Sequence, residues 1–555
     1  MRRAFDTLLS WLPAFARIAS PIAWTLIWLG AIGLAALVHL AFLVAWPDHF
    51  VHEDSAAYLD QAQAILTGHY VDDQGHRPYG VAFFLVLLSK LFSPNILVFV
   101  TAQYVMSVLT AIFVAAAVRF SGAPRIFSLL AFLLAALYGR IIHYDNTVGA
   151  ETVSVFLTSL AAFIASGVAF RRWPPLLSAV GIGLSLGAVM LCRSAAVGSA
   201  VVILVWLAIL MDLRWLRRLG IVALAGGIAA AVYFVPAGVN WMVGKHPARG
   251  EGLPVMAFTV GYSGDFDHGV HLDRKSLARQ LVNEKRAADG PLGWFGDYQW
   301  PFGVLDRMRL PNESDADLEK VVRDIFIETV TTPSTLWRHI SRHFAREMFF
   351  LLFDANPMAR RVAIPQGYEP FVQRDAFPIF KTPTGFKSGR LIYDNYSPPP
   401  ALSWLLPSAD QLQAVLDRVF RSGYSPGFDS ARLCCGVTVS SEYDDKPGPM
   451  RWLSACTVIL LAVLLVGAVP SERLPLLPRN LAAAGYLMIL LAFTNAAFPA
   501  FLVYGLHRYG YYVAPFLAGA TGIFGAVLFD RIRLAAGWFG RGTFAVTRAI
   551  DAKPA

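Results

Sequence analysis

Long apolar runs alternate with short polar turns along most of the chain. Runs with almost no charge occupy residues 22–46, 95–117, 125–141, 150–170, 175–192, 195–212, 218–238, 452–470, 481–503 and 510–530. A helix of about 20 residues, rising about 1.5 Å per residue, crosses a hydrocarbon core of about 30 Å. In lipid such a segment must be helical, because no water is present to bond its backbone groups. The pattern therefore predicts about ten transmembrane helices.

Arginines lie in short clusters on alternate turns between these runs. If the N-terminus is cytoplasmic, the cytoplasmic side receives Arg2, Arg3, Arg17, Arg119, Arg125, Arg171, Arg172, Arg214, Arg217, Arg218, Arg473, Arg479, Arg531, Arg533 and Arg541. This distribution follows the positive-inside rule. The opposite, outer side then holds residues 47–94, short turns at 142–149, 193 and 504–509, and the long segment 240–450. We expect any chemistry on that outer side.

The composition agrees with a membrane protein. Hydrophobic residues make up 56% of the 555 residues and charged residues 15%, and the mean hydropathy is +0.51. These values predict an all-α polytopic fold and exclude a solvated globule for most of the chain. The net charge of +9 does not indicate nucleic-acid binding, because the arginines flank apolar runs. Four cysteines exclude a disulfide framework, while adjacent Cys434 and Cys435 leave a vicinal disulfide open.

The alternation of apolar and polar stretches divides the chain into three regions. Residues 1–240 form a transmembrane module that includes the first outer loop, 47–94. Residues 241–450 form a large extracytoplasmic region of loops and helices. Residues 451–555 contain the last transmembrane helices and a cytoplasmic tail.

The first outer loop predicts two juxtamembrane helices. Residues 54–66 place apolar side chains on one helical stripe, and Gly68 stops this helix. The second apolar run, 81–92, is too short to span a bilayer and carries Lys90. We expect both helices to lie at the membrane surface, joined by a polar turn.

The long outer segment contains a recognisable helix start. Ser314 and Asp317 have the spacing of a capping pair, and the helix they open runs to about Thr331. After it, basic side chains repeat at helical spacing: Arg338, His339, Arg342, His343 and Arg346. This basic face fits either contact with anionic lipid headgroups or a solvated helix surface.

The acidic pair Glu53-Asp54 directly follows the first span. A carboxylate at a helix start on the outer membrane surface could take a proton from an acceptor hydroxyl. Asp54, Tyr58 and Gln61 share one face at i, i+4 and i+7. Alternatively, Asp54 serves only as a helix cap.

Three further polar motifs lie on the predicted outer side. Arg77 opens the second juxtamembrane helix. Its guanidinium could donate two hydrogen bonds to phosphate oxygens, or the side chain could extend to lipid headgroups. Tyr144 and Glu151 border a short outer turn, where Glu151 is either functional or a helix-start residue that suits the dipole. Arg508-Tyr509 precedes the last span as a second phosphate contact or an interfacial anchor.

These motifs together resemble the type C glycosyltransferases, the group that includes the protein O-mannosyltransferases and the lipid A aminoarabinose transferases. The resemblance rests on Glu53-Asp54 with Tyr58 and Gly68, Arg77-Pro78-Tyr79-Gly80, Glu151, Arg193, and Arg508-Tyr509, in the family's order. It covers about residues 20–240 and 500–530.

The resemblance implies an enzyme that transfers a sugar from a polyprenyl-phosphate donor outside the cytoplasm. By the match, Asp54 is the base, Glu53 its acidic neighbour, Arg77 a phosphate contact and Glu151 a second acidic site. Tyr58, Tyr144, Arg193, Arg508 and Tyr509 complete the candidate substrate-binding set. The implied partners are the bilayer, the donor lipid, and a glycan, lipid or protein acceptor, without nucleic acid. The implied location is a bacterial inner membrane with the active site facing the periplasm or exterior.

No cofactor is firmly implied, and the sequence leaves a divalent metal open. Two other functions also stay open. A transporter or flippase for a lipid-linked glycan would place ionisable residues and broken helices near the bilayer midplane. A receptor-like protein could use the 241–450 region to bind a partner.

Overall fold

The computed structural model describes residues 20–45, 53–68, 78–92, 94, 96–138, 145, 148–171, 173–242, 252–288, 299–345, 348, 351–352, 385–387, 390–392, 431–432, 438–439, 449–467, 478–502 and 512–551. Cys434 and Cys435 lie outside these residues, so the structure does not test a vicinal disulfide between them. Most of the segment between 353 and 448 also lies outside the described residues.

The described chain is almost entirely helical. Its helices are α1 Pro21–Ala45, α2 Glu53–Leu66, α3 Gly80–Leu91, α4 Ile96–Phe120, α5 Arg125–Ala136, α6 Glu151–Arg171, α7 Pro175–Cys192, α8 Val197–Leu210, α9 Trp215–Met242, α10 Gly252–Ser263, α11 Leu272–Ala288, α12 Gln299–Met308, α13 Asp315–Thr331, α14 Pro333–Arg338, α15 Pro449–Gly467, α16 Arg479–Leu502 and α17 Ala514–Asp551. A 3₁₀ turn, Ser194–Ala196, precedes α8, and a π-helical turn, His339–Phe344, follows α14.

Two short antiparallel hairpins are the strands that the structure describes. β1 Gly385–Lys387 pairs with β2 Arg390–Ile392. β3 Ala431–Arg432 pairs with β4 Thr438–Val439. Both lie in the region predicted to consist of loops and helices, and neither adds a layer to the helical bundle.

Each of the ten apolar runs coincides with an apolar helix, which confirms the predicted polytopic all-α class. Among the described residues, seven helices are long and apolar enough to cross a membrane: α1, α4, α6, α7, α9, α16 and α17. The other three runs correspond to the shorter apolar helices α5, α8 and α15. Helix α3 has 12 residues, which agrees with its predicted surface position.

Most of the bundle's described arginines lie at one end, and the buried carboxylates Asp145 and Glu151 lie at the other. At one end, called here the arginine end, Arg171 donates to the carbonyl of Arg119. Arg218 donates there to the carbonyl of Ala208 in the last turn of α8 and to that of Leu213 in the turn after it. Helix α6 leads from Arg171 to Glu151, a distance of about 30 Å along its axis. The end at Glu151 is called here the acidic end. This separation agrees with the predicted topology, which stays a prediction.

Small residues allow the closest helix packing in the bundle. A Cβ atom added at Gly183 of α7 would lie 2.7 Å from the carbonyl oxygen of Ala225 on α9. One added at Gly187 would lie 2.5 Å from Cβ of Val232. Because lipid supplies no hydrophobic drive between helices, such close approach provides the packing that holds them together.

Helices α10–α13 form a second core outside the bundle. It is built on Phe266, Ala278, Val304, Leu318 and Val322, all fully buried. Buried Lys275 donates to Glu328 at 2.6 Å and to the carbonyl of His268 at 2.7 Å. The predicted cap of α13 is confirmed, since Ser314 Oγ accepts from the backbone N–H of Asp317 at 3.2 Å.

His339 and His343 do not form the basic surface that their spacing suggested, so that interpretation is wrong for both residues. Both are buried. His339 Nε2 donates to the carbonyl of Phe501 at 2.7 Å, since a carbonyl can only accept. His339 Nδ1 therefore accepts from Ser263 Oγ at 2.8 Å, and His343 stacks on Tyr262. The histidines connect α10 to the last turn of α16.

We expect the stability of this connection to depend on pH. Burial lowers the pKa of His339 to about 4, from an ordinary value of 6.5. The unfolded chain therefore takes up this proton below pH 6.5, while the folded chain resists it until about pH 4. Stability is fully present above pH 6.5 and falls by about 2 kcal/mol by pH 5.

This loss is measured by unfolding the purified protein in detergent at pH 7.5 and pH 5. His339→Gln should be less stable than the wild type at pH 7.5 and lose less stability on acidification. The control is His268→Gln, because the His268 side chain is 83% exposed. An equal loss of stability in the wild type and His339→Gln would contradict the assignment.

Candidate functional site

The two helices of the first outer loop pack into a core at the acidic end. On α2, Tyr58, Leu59 and Ala62 are buried, and on α3, Val81 and Leu85 are buried. All belong to one cluster that also contains the start of α6 and the end of α7. Gly68 ends α2 with a φ of +75°, as its predicted stop requires. The two described helices of the first loop are therefore packed into the fold.

Gly80 fixes the entry of α3 against the end of α7. A Cβ atom at this position would lie 2.5 Å from the backbone nitrogen of Cys192 and 2.6 Å from its Sγ. Only glycine leaves room for this approach. The contact places the end of the Arg77–Gly80 motif beside Arg193.

Arg193 stacks on Tyr512. The guanidinium carbon lies 3.8 Å from the centroid of the tyrosine ring. Arg193 follows the last residue of α7 and is half-buried, whereas Tyr512 is 3% exposed and lies two residues before α17. A cation over a buried aromatic face is held in position and shielded from water.

Glu151 and Tyr58 complete the cluster around Tyr512. Both interact electrostatically with the Tyr512 hydroxyl, as does Arg193. Glu151 is 7% exposed and is the first residue of α6, where the helix dipole favours an anion. The four residues come from α2, α6, the end of α7 and the start of α17. We call them the Arg193 cluster.

A second buried polar group lies beside this cluster. Asp145 is fully buried, and its Oδ1 accepts from Thr152 Oγ1 at 2.7 Å. Gln103 Nε2 donates to the carbonyl of Asp145 at 2.6 Å. His39 Nε2 donates to the carbonyl of Ala136 at 2.9 Å, and its Nδ1 lies 3.7 Å from Asp145 Oδ2. This group ties the turn before Glu151 to α1 and α4.

The structure brings together three of the predicted site residues: Tyr58, Glu151 and Arg193. Arg77, Tyr144, Arg508 and Tyr509 lie outside the described residues, as do the side chains of Glu53 and Asp54. The backbone of Glu53 and Asp54 forms the first turn of α2. Gln61 is 7% exposed, so it shares the buried face of Tyr58 that the helical spacing predicted.

The sequence prediction missed Tyr512, His39 and Gln103. His39 and Gln103 could have been found, because polar side chains inside apolar spans usually have a specific buried role. Tyr512 follows the Arg508-Tyr509 motif by three residues and carries no sequence signal that separates it from interfacial tyrosines.

The Arg193 cluster combines a fixed cation with a buried carboxylate and two buried phenol groups. Such a cation binds an anionic oxygen more strongly than an exposed arginine does. Among the described residues, no group of three or more histidine, cysteine, aspartate or glutamate side chains could hold a metal ion.

No protein-family model and no curated protein matches this chain. A crystal structure of the Archaeoglobus fulgidus oligosaccharyltransferase, tethered to an acceptor peptide with the NVT sequon, matches at 12% identity and a TM-score of 0.39. The match covers 94% of this chain and 53% of the archaeal chain, so this chain spans about half its length. A crystal structure of apo ArnT from Cupriavidus metallidurans matches at 13% identity and a TM-score of 0.28, covering 90% and 78% of the two chains. Because both TM-scores are below 0.5, neither likeness identifies the chemistry of this chain.

We predict strong energetic coupling between Arg193 and Tyr512. A double-mutant cycle with Arg193→Ala and Tyr512→Ala should give about 1–2 kcal/mol of coupling in the free energy of unfolding in detergent, because the pair is shielded from water. The matched control is Arg171 with Phe120 at the arginine end. There the guanidinium is exposed and lies 5.4 Å from the ring centroid, so coupling should stay below about 1 kcal/mol. Equal coupling in the two cycles would show that the Arg193–Tyr512 pair is no stronger than an exposed cation–π contact.

Proposed function

We propose that this protein is a membrane glycosyltransferase. It transfers a sugar from a polyprenyl-phosphate-linked donor to a glycan, lipid or protein acceptor on the extracytoplasmic side. The Arg193 cluster and the first turn of α2 form its active site.

One observation carries this proposal: described residues of four candidate motifs, together with Tyr512, lie at the acidic end. Tyr58 belongs to the helix that Glu53 and Asp54 open. Gly80 ends the motif of Arg77 and touches Cys192. Two further motifs contribute Glu151 and Arg193, and Tyr512 follows the Arg508-Tyr509 motif by three residues. Residues that are far apart in sequence therefore lie at one end of the bundle, which supports a shared site there rather than a set of unrelated headgroup anchors.

Asp54 is the proposed base. It lies on the first turn of α2, one helical turn before Tyr58, which belongs to the Arg193 cluster. A carboxylate there can take the proton of an acceptor hydroxyl while that oxygen attacks the anomeric carbon of the sugar. Glu53 is its acidic neighbour, and Glu151 is a second acidic group of the site.

The arginines are the proposed phosphate ligands. When the new glycosidic bond forms, the bond between the anomeric carbon and the phosphate oxygen breaks, and its electron pair leaves with polyprenyl phosphate. A phosphate is a good leaving group, so the step needs cationic support and exclusion of water more than a strong acid. Arg193 supports this charge from its fixed position on Tyr512, together with Arg77 and Arg508. Tyr144 and Tyr509 are proposed substrate contacts.

The position of the site also suits a donor that stays in the membrane. The buried apolar cluster of α2, α3, α4 and the start of α6 packs next to the site, at the end of the transmembrane bundle. A lipid-linked sugar can diffuse sideways in the bilayer and present its phosphate at this end of the bundle. The position of the site at the end of a transmembrane bundle therefore favours a lipid carrier over a soluble nucleotide sugar.

We expect Asp54→Asn to fold normally and to lose at least ~100-fold in sugar transfer, the usual scale for a positioned base. Transfer is measured in membranes that contain the protein and its native lipid-linked donors. The matched control is Asp60→Asn, because Asp60 is on the same helix and exposed to solvent. Asp60→Asn should transfer at the wild-type rate.

Glu53→Gln separates the two neighbouring acids. If Glu53→Gln abolishes transfer and Asp54→Asn does not, the base is Glu53. If both variants transfer normally, the first-loop acids have no catalytic role and the proposed mechanism fails. A transporter for a lipid-linked glycan would then fit the acidic end better.

A further inference from the structure

An apolar groove of about 520 Å³ runs between α8 and α16, away from the Arg193 cluster. Its size lies within the range of about 300–1,000 Å³ that is usual for ligand sites. Val205 and Ile209 line it from α8, and Tyr486 and Leu490 line it from α16. Val205, Ile209 and Leu490 are 52%, 63% and 42% exposed, so the groove opens to the outside of the bundle.

The floor of the groove is fixed by a buried tryptophan. Trp206 is 5% exposed, and its Nε1 donates to the carbonyl of Ala483 at 2.8 Å. The rings of Phe170 and Trp206 pack in a T-shaped arrangement with their centroids 5.6 Å apart. This hydrogen bond holds the two helices at the base of the groove, while the side chains above it leave the space between them unfilled. The groove is therefore a fixed feature of the helix pair.

The groove extends through one leaflet. Its lining runs from 201 to 210 on α8 and from 479 to 490 on α16, which correspond to about 14 and 16 Å of helix. Half of a hydrocarbon core is about 15 Å. The groove ends at the arginine end of the bundle, where Arg479 is exposed.

Charge at the groove is positive. Arg479 is the charged residue among its described lining residues, and no carboxylate is among them. Arg218 is at the same end, where it donates to the carbonyls of Ala208 and Leu213. An apolar channel one leaflet long, with a cation at the headgroup level, complements a lipid whose headgroup is negative.

We propose that the groove binds one anionic phospholipid from the leaflet at the arginine end. One acyl chain lies over Trp206, and the phosphate contacts Arg479. The lipid fills the gap between α8 and α16 and so holds α16 against the rest of the bundle. This proposal is independent of the proposed sugar transfer, because no residue of the groove belongs to the Arg193 cluster.

The test is native mass spectrometry of the full chain released from detergent, with dioleoyl phosphatidylglycerol or dioleoyl phosphatidylcholine added as the probe. We expect the wild type to retain one phosphatidylglycerol, bound about tenfold more tightly than phosphatidylcholine. Arg479→Gln should remove this preference. The control is Arg217→Gln, which removes an exposed arginine from the same end but not from the groove, and it should bind like the wild type.

A second variant tests the groove itself. Val205→Trp fills the space from an exposed wall position, so it should reduce retention of both lipids at least fivefold without unfolding the protein. If it fails to fold, Leu490→Trp makes the same test from α16. Equal retention of the two lipids by the wild type would overturn the proposal. So would a preference that survives in Arg479→Gln, or retention that the groove-filling variants leave unchanged.

Discussion

A polar group in hydrocarbon must find its partners inside the protein, and this constraint organises the whole molecule. It leaves the described spans largely apolar, moves most of the bundle's described arginines to one end, and favours partners for the charged groups that are buried. At the acidic end the pairing is dense: Thr152 and Gln103 bond Asp145, and Arg193 stacks on Tyr512. The same constraint gives the candidate site its chemical character, because charges there are weakly screened.

The acidic end is assembled by parts of the chain that are distant in sequence. The packing of Gly80 on Cys192 seats α3, and α3 in turn supports α2 and Tyr58. The turn at Asp145 positions the start of α6 and therefore Glu151. On the side of α16, His339 connects Phe501 to Ser263 of α10, so the outer helices are joined to the last transmembrane pair. The positions of the site residues therefore depend in part on contacts made outside the site, such as that of Gly80 with Cys192.

Much of the fold could be predicted from the sequence, because its strongest signals are local. Apolar runs predicted the spans, Gly68 predicted the end of α2, and Ser314 predicted the start of α13. The direction of a side chain around a helix was harder to predict. His339 and His343 repeat with arginines and suggested a basic surface, yet tertiary packing turns both inward. Of the site, Tyr58, Glu151 and Arg193 could be proposed from motif and topology. Tyr512 could not, because its role depends on a contact with Arg193 that joins two distant parts of the chain.

The central claim is that the acidic end transfers a sugar to an envelope acceptor. The most direct measurement compares the masses of cell-envelope glycans from cells that lack the protein with those from cells that express the wild type or Asp54→Asn. The account predicts one sugar modification that is present with the wild type and missing both without the protein and with Asp54→Asn. Identical glycan masses in all three strains would contradict it.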